Sequence, residues 1–198
     1  MIYKRIFDLI FSTIGFILLS PLFVLIALFI KITMPGPVFF CQVRVGKNRK
    51  LFKLVKFRSM TILKNSENGY FDIGNNARVT SFGKLLRKTK LDELPQLFNV
   101  LKGEMSIVGP RPEVQCWTDI YTDKWDIILT VKPGITDNAS IHFRNEEYQL
   151  INSRNPEQTY KDEILPKKID YYIDYVNNNT LLSDVKIIFR TFHHILTK

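Results

Sequence analysis

Asp92 and Glu93 stand side by side directly after the basic run Arg87-Lys88-Thr89-Lys90. A carboxylate can attack phosphorus to form an acyl-phosphate, which splits one group transfer into two steps. A second carboxylate beside it can hold Mg²⁺, whose charge neutralises phosphate oxygens and removes repulsion against an incoming anion. Adjacent carboxylates repel, so keeping both ionised requires cations close by. The chain supplies them: Arg78, Lys84, Arg87, Lys88 and Lys90 precede the pair with no acid among them, and Arg111 follows within Gly109-Pro110-Arg111-Pro112. A guanidinium held between prolines has less freedom to lose on gripping a phosphate. Taken alone, an Asp-Glu pair would more commonly just stabilise the start of a helix.

The elements that must position these groups can be read from periodicity and punctuation. Leu91, Leu94, Phe98 and Leu101 share one helical face, with Thr89 as the expected N-cap, Pro95 in the first turn and Gly103 as the stop. That reading puts Asp92 and Glu93 in the first turn, at the positive end of the helix dipole. Ser81 is expected to cap a short basic helix, FGKLLRKTK, running into the pair. Upstream, VFFCQVRV and LFKLVKFRSM flank a turn at Gly46-Lys47-Asn48 and predict a β-hairpin. Residues 64–80 read as a loop, and Met105–Val108 as a short extended segment. Glu113–Thr130 predicts a helix with Trp117, Ile120, Tyr121 and Ile128 on its apolar side, and Lys132-Pro133-Gly134-Ile135-Thr136 a turn. Asn138–Leu150 fits strand or loop. Pro156–Val176 predicts a polar, Tyr-rich helix bent at Pro166, and Thr180–Leu196 an amphipathic helix suited to core packing or a membrane interface.

The 22 residues from Leu9 to Ile30 carry no charge. At about 1.5 Å per residue such a helix crosses a hydrocarbon core of about 30 Å. The run is too long for a secretory signal, and no small-residue cleavage site follows it. Ser20-Pro21 falls in its middle and predicts a sharp bend. Lys4 and Arg5 on one flank, and Lys31 with a basic segment on the other, pull both ends to the same side. The residues alone leave spanning and re-entrant topologies open.

The formal charge of +9, from 28 Lys and Arg against 19 Asp and Glu, points to an anionic partner. Between Pro37 and Ser66 there are eight Lys and Arg and no acid, next to the membrane segment. That favours phosphate or anionic headgroups, with nucleic acid as a rival. Cys41 and Cys116 read as reduced thiols, and His142, His193 and His194 lack metal-ligand spacing. Neither common nucleotide-binding glycine loop is present.

Several stretches together resemble the bacterial sugar transferases, small monotopic polyprenyl-phosphate phosphoglycosyl transferases. They are Ser20-Pro21, Lys56-Phe57-Arg58-Ser59-Met60, Arg87 five residues before Asp92-Glu93, LPQLFNVLKGEMSIVGPRPE and Lys132-Pro133-Gly134-Ile135-Thr136. The resemblance covers nearly the whole chain. It implies a mainly helical α+β fold: a membrane helix bent at Ser20 and Pro21 into a re-entrant hairpin (1–34), then a catalytic domain (35–198) with one β-hairpin and amphipathic interfacial helices. It implies transfer of a phospho-sugar from a UDP-sugar to polyprenyl phosphate, with release of UMP. Asp92 would be the nucleophile, Glu93 the Mg²⁺ ligand, and Lys56, Arg58, Arg87 and Arg111 the contacts to substrate. The expected setting is the bacterial inner membrane, with the catalytic domain on the cytoplasmic face and inner-leaflet phospholipid as a partner; no nucleic acid is expected. A second copy could cover the apolar face of the last helix as a homodimer. The family commonly has glycine where Asp137 stands and often aspartate where Tyr172 stands, so residues 137–150 are expected to help select the sugar. Two rivals remain: a membrane-anchored module binding anionic lipid or nucleic acid, and a Mg²⁺-dependent nucleotide-sugar hydrolase.

Overall fold

The computed structural model describes residues 2–61 and 78–197. Ile2–Thr33 forms one helix, α1, about 48 Å long. Pro21 cannot donate to Ile17 O, but Ser20 Oγ donates to that oxygen at 2.8 Å. The hydroxyl replaces the lost N–H, and the helical run continues through the Ser-Pro pair. Leu18, Val24, Leu25, Leu28, Phe29 and Ile32 are exposed along it, and it is the one described helix long and apolar enough to cross a membrane.

Both ends of α1 are fastened to the body that follows. Near its start, Lys4 Nζ meets Asp184 Oδ2 at 2.5 Å and Val108 O at 3.0 Å. Asp8, 2% exposed, accepts from Ser106 Oγ at 2.9 Å and Ile107 N at 3.0 Å. Towards its end, Ile26, Ile30 and Met34 pack with Phe57 and Leu86.

The hairpin is present as expected: β1 (Phe39–Val45) and β2 (Leu51–Phe57) pair antiparallel, with Phe40 opposite Lys56. Alternation turns Phe52, Leu54 and Lys56 to one face and Phe57 to the other. Thr80, one residue before the expected cap, accepts from Gly83 N and starts α2 (Ser81–Lys88). A methyl on Gly83 would lie 1.8 Å from Ser59 O, so α2 sits directly on the segment leaving β2. The loop expected at 64–80 lies outside the described residues except for Arg78, Val79 and Thr80.

Thr89 does not cap the next helix; it closes α2, and its Oγ1 donates to Leu85 O at 2.8 Å. Lys90 then reverses the chain in the left-handed region (φ 59), Leu91–Glu93 form a single 3₁₀ turn, and α3 begins only at Gln96 (Gln96–Lys102). Asp92 and Glu93 therefore precede α3 rather than occupying its first turn. Gln96, Asn99 and Val100 form the buried face, and Phe98 is 45% exposed. Gly103 ends α3 at φ 85, as expected.

Two motifs that are far apart in sequence interlock. β3 (Ser106–Val108) and β4 (Gly134–Thr136) pair parallel, so the expected turn at Lys132–Thr136 is instead half of a small sheet. Gly109 N donates to Thr136 O at 3.1 Å and Gly134 N to Pro110 O at 2.9 Å. The helix expected over Glu113–Thr130 is two, α4 (Gln115–Thr118) and α5 (Thr122–Ile128). Thr118 Oγ1 and Thr122 Oγ1 donate to Gln115 O and Asp119 O, contacts that compete with continuous helix at the join. Residues 138–150 are neither strand nor plain loop: Asp137 caps α6 (Asn138–His142), and α7 (Glu146–Ile151) follows.

α8 (Pro156–Thr159) runs through a π turn (Tyr160–Ile164) into α9 (Leu165–Asn178), whose first turn takes Pro166, where a missing N–H costs little. α10 (Leu181–Leu196) starts with a Thr180–Ser183 capping box, buries Asp184 and Ile187, and leaves Leu182, Phe189 and Phe192 exposed. The largest core gathers Trp125, Ile128, Leu150, Leu165, Ile169 and Tyr172 from α5, α7 and α9. The architecture is mainly helical α+β.

A methyl on Gly134 would lie 2.1 Å from Gly109 N and 2.4 Å from Gly109 O, both backbone atoms that cannot yield. Gly134→Ala should cost about 3 kcal/mol or more, read as a fall in melting temperature. Gly15→Ala, meeting only Leu97 Cδ1 at 3.5 Å, should leave it level or raise it.

Candidate active site

Glu93 is held by a fork. Arg111 Nη2 donates to Oε1 at 2.6 Å and Nη1 to Oε2 at 3.3 Å, while Lys56 Nζ donates to Oε1 at 3.1 Å. Lys56 arrives there because the β2 pleat turns it to the face of Phe52 and Leu54. Asn99 fixes that strand to α3: its Oδ1 accepts from Val55 N at 3.1 Å, and its Nδ2 donates to Lys53 O at 2.8 Å. Burial pushes the Glu93 carboxyl up, but Arg111, then Lys56 and Lys90, hold it well below the ordinary glutamate range. The Arg111 guanidinium is raised in turn, mainly by Glu93.

Asp92 has the opposite environment. It is 8% exposed and makes no hydrogen bond or ion pair with a described residue, and its Oδ1 is buried without a partner. Burial raises its carboxyl above the ordinary aspartate range, Glu93 adds to this, and Lys56, Lys90 and Arg87 oppose it at longer range. Two neighbouring carboxylates are thus driven apart: one is locked in ion pairs, the other is desolvated and free. The free one is suited to nucleophilic attack, and the locked one holds two cations, Lys56 and Arg111, in register.

Not every expected contact gathers here. Lys56, Arg111 and the carboxylates do. Arg87 faces the site from α2, within electrostatic reach of Asp92, but its guanidinium pairs with Glu147 on α7 at 2.9 Å. Arg58 does not join them: it is 4% exposed and donates to Pro35 O at 2.9 Å and to Met34 O, closing the turn after α1. Ser20 and Pro21 lie within α1.

A buried network unmarked in the sequence sets the Arg111 loop. Arg44 Nη1 donates to Pro112 O at 3.2 Å and Glu113 Oε2 at 3.3 Å, and Val45 N donates to Glu113 O at 2.9 Å. Glu113 Oε1 accepts from Tyr160 Oη at 2.6 Å, and Lys168 Nζ reaches Glu146 at 2.9 Å. Asp137, 2% exposed, accepts from Ser140 N and Oγ at 2.9 and 2.5 Å; burial raises its carboxyl above the ordinary aspartate range, with the Ser140 bonds and then Arg111 opposing it. Glu113 ends the run quoted above, which was its only signal; Arg44, Tyr160 and Lys168 read as ordinary hairpin and helix residues.

The resemblance implies Mg²⁺ at Glu93. Among the described residues no three His, Cys, Asp or Glu side chains cluster as ligands, but Mg²⁺ commonly keeps waters and takes one or two carboxylates plus phosphate oxygens. The orphaned Asp92 Oδ1 beside Glu93 provides such a pair. Lys56 and Arg111 already face Glu93, so a bare dication would be repelled. The residues fit the ion as the partner of a diphosphate.

The two carboxylates should respond oppositely to neutralisation. Because folding raises the Asp92 carboxyl, its ionised form costs stability above the ordinary aspartate range. Asp92→Asn should therefore raise stability at neutral pH by about 1 kcal/mol. Because folding depresses Glu93, its ionised form adds stability above the ordinary glutamate range, lost as pH falls through the depressed value. Glu93→Gln should cost about 3–5 kcal/mol by stranding Lys56 and Arg111. Thermal melts of both variants at neutral pH check the opposite signs.

Residues 1–198 match the family described as bacterial sugar transferase. The chain is 42% identical over 195 residues to a UDP-glucose:undecaprenyl-phosphate glucose-1-phosphate transferase from Klebsiella pneumoniae, covering 96% of this chain and 39% of that protein. It is 38% identical over 197 residues to a UDP-N-acetylgalactosamine-undecaprenyl-phosphate N-acetylgalactosaminephosphotransferase from Aeromonas hydrophila, covering 98% and 44%. It is 34% identical over 205 residues to the exopolysaccharide production protein ExoY from Sinorhizobium fredii, covering 96% and 84%. The chain thus spans about two fifths of the first two relatives and most of the third. With a family match along its whole length, the chain belongs to the bacterial sugar transferase family.

Proposed function

We propose that this chain is a phosphoglycosyl transferase that moves a phospho-sugar from a UDP-sugar to a polyprenyl phosphate and releases UMP. The observation that carries the reading is the split between the carboxylates: Glu93 is gripped by Arg111 and Lys56, whereas Asp92 is buried and has no partner among the described residues. An Asp92 oxygen attacks the phosphorus that bears the sugar, the Asp92–O–P bond forms, and the bridge to the α-phosphate breaks as UMP leaves. A phosphate oxygen of the acceptor then attacks the same phosphorus, returning the electron pair to Asp92 and leaving a lipid diphosphate-linked sugar. Arg111 and Lys56 face the diphosphate as its charge moves to the leaving group, and Arg87 exchanges Glu147 for phosphate oxygens. Mg²⁺ held at Glu93 would neutralise the diphosphate and reduce its repulsion of Asp92. Asp92 cannot attack when protonated, so its raised pKa places the acid limb of activity above the ordinary aspartate range.

The sugar remains open across the relatives, whose names cover glucose and N-acetylgalactosamine; residues 137–150 are our candidate for selecting it. The re-entrant reading of α1 is supported by the attachment of both its ends to one body. That body would sit on the cytoplasmic face, where the basic flanks draw it.

UMP release from a panel of UDP-sugars should require polyprenyl phosphate for continued turnover, and Asp92→Asn should lower it at least a thousandfold. Sugar phosphate formed without lipid would instead indicate hydrolysis. Calorimetry should detect Mg²⁺ binding with UDP present and little without it. With Cys41 and Cys116 replaced, Ile2→Cys and Lys31→Cys should both react with an impermeant maleimide from the same side of sealed vesicles; labelling from opposite sides would mean that α1 spans.

A further inference from the structure

A second cationic site lies at the far end of α3 from the carboxylates. Arg5 reaches it from the first turns of α1 and Lys132 from the approach to β4, while Lys47 in the hairpin turn lies within electrostatic reach of Lys132. A side-chain carbon built on Gly103 would lie 3.4 Å from Arg5 Nη2 and 3.5 Å from Lys132 Nζ, so both cations flank one small space beside a residue with no side chain. Arg5 spends two donors on Val100 O at 2.6 Å and Leu101 O at 2.9 Å and retains three. Lys132 Nζ makes no hydrogen bond or ion pair with a described residue. Burial and then Arg5 push its ammonium downward, Asp8 opposes them, and Lys47 adds to the push. Asp8 is itself engaged with Ser106 and Ile107, so the space carries excess positive charge.

We propose that Arg5 and Lys132 bind a phosphate oxyanion, supplied by the headgroup of an anionic phospholipid, with Lys47 adding its charge from the hairpin turn. The lipid source follows from position: Arg5 lies on the membrane helix, with Ile2, Tyr3, Ile6, Leu9 and Ile10 exposed around it. A phosphodiester there has its acyl chains beside apolar side chains and its charge over the cations. The site is distinct from the catalytic carboxylates, because the seven residues of α3 place about 10 Å of helix between them. A headgroup bound at this point would fix the rotation of the body about α1, and with it the side of α3 that faces the bilayer. The proposal rests on reading α1 as the membrane anchor.

The experiment measures binding of the full chain to phosphatidylcholine vesicles with and without phosphatidylglycerol, at matched ionic strength. Binding to phosphatidylcholine alone reads the anchor, so failure there would refute the anchor rather than this site. The gain on adding phosphatidylglycerol reads the site. Lys47→Gln with Lys132→Gln should cut that gain by about fivefold per lysine and leave phosphatidylcholine binding unchanged. Lys161→Gln with Lys167→Gln, an equal charge loss at exposed positions, should preserve most of the gain. Equal losses in both pairs would mean diffuse attraction and overturn the proposal. A lower melting temperature with an unchanged gain would overturn it too, because the cations would then only cap α3. Inorganic phosphate abolishing the gain at matched ionic strength would show a free-phosphate site and overturn the lipid assignment.

Discussion

Arg111 meets Glu93 with both arms of its guanidinium, and the placement of four chain segments depends on that contact. The 3₁₀ turn brings Glu93, the interlocked β3–β4 loops bring Arg111, β2 brings Lys56 to the same oxygen, and α3 carries Asn99, which fixes β2. Removing one partner of a buried pair costs about 3–5 kcal/mol, a large part of the usual stability of a domain. The same contact leaves Asp92, one residue away, without a cation of its own. On the proposed mechanism, placing a locked carboxylate next to a free one separates charge management from attack, and neither residue could serve both ends.

The supporting structure is built to stop the Arg111 loop from moving. Gly109 and Gly134 approach so closely that neither tolerates a side chain, and prolines on either side of Arg111 restrict its backbone. Behind the loop, Arg44 ties Pro112 and Glu113 to the hairpin while Tyr160 ties Glu113 to the π turn before α9. A buried network with most of its members satisfied is rigid and has few alternative arrangements. Such rigidity suits the role proposed for Arg111, meeting developing charge without reorganising.

The carboxylate pair, the hairpin, Arg111, the final amphipathic helix and the long apolar helix were legible in the sequence because each has a local signature in spacing or punctuation, whereas Lys56 was reached only through the family resemblance. What escaped depends on contacts between distant segments. Lys132–Thr136 looks like a turn by its Pro-Gly, and only its pairing with Ser106–Val108 makes Gly134–Thr136 a strand. Thr89 looks like an N-cap until Lys90 takes a left-handed conformation that ends one helix before the next begins. Arg58 was expected among the substrate contacts by its place in the Lys56–Met60 motif, and in the structure it donates to the carbonyls of Met34 and Pro35. Lys168 Nζ lies 3.9 Å from Glu113 Oε1 although the two are 55 positions apart in sequence, and no local pattern could announce their meeting.

The account turns on Asp92 as the residue that takes the phospho-sugar. The most direct measurement is intact-mass and peptide-level mass spectrometry of the purified chain, quenched in acid after mixing with a turnover-competent UDP-sugar and Mg²⁺ but no polyprenyl phosphate. The account predicts one phospho-sugar adduct per chain, mapping to the peptide that contains Asp92, with UMP released in a matching amount and no adduct on Asp92→Asn. UMP that appears only when the lipid acceptor is present, with no adduct at any time, would mean direct displacement and would contradict it.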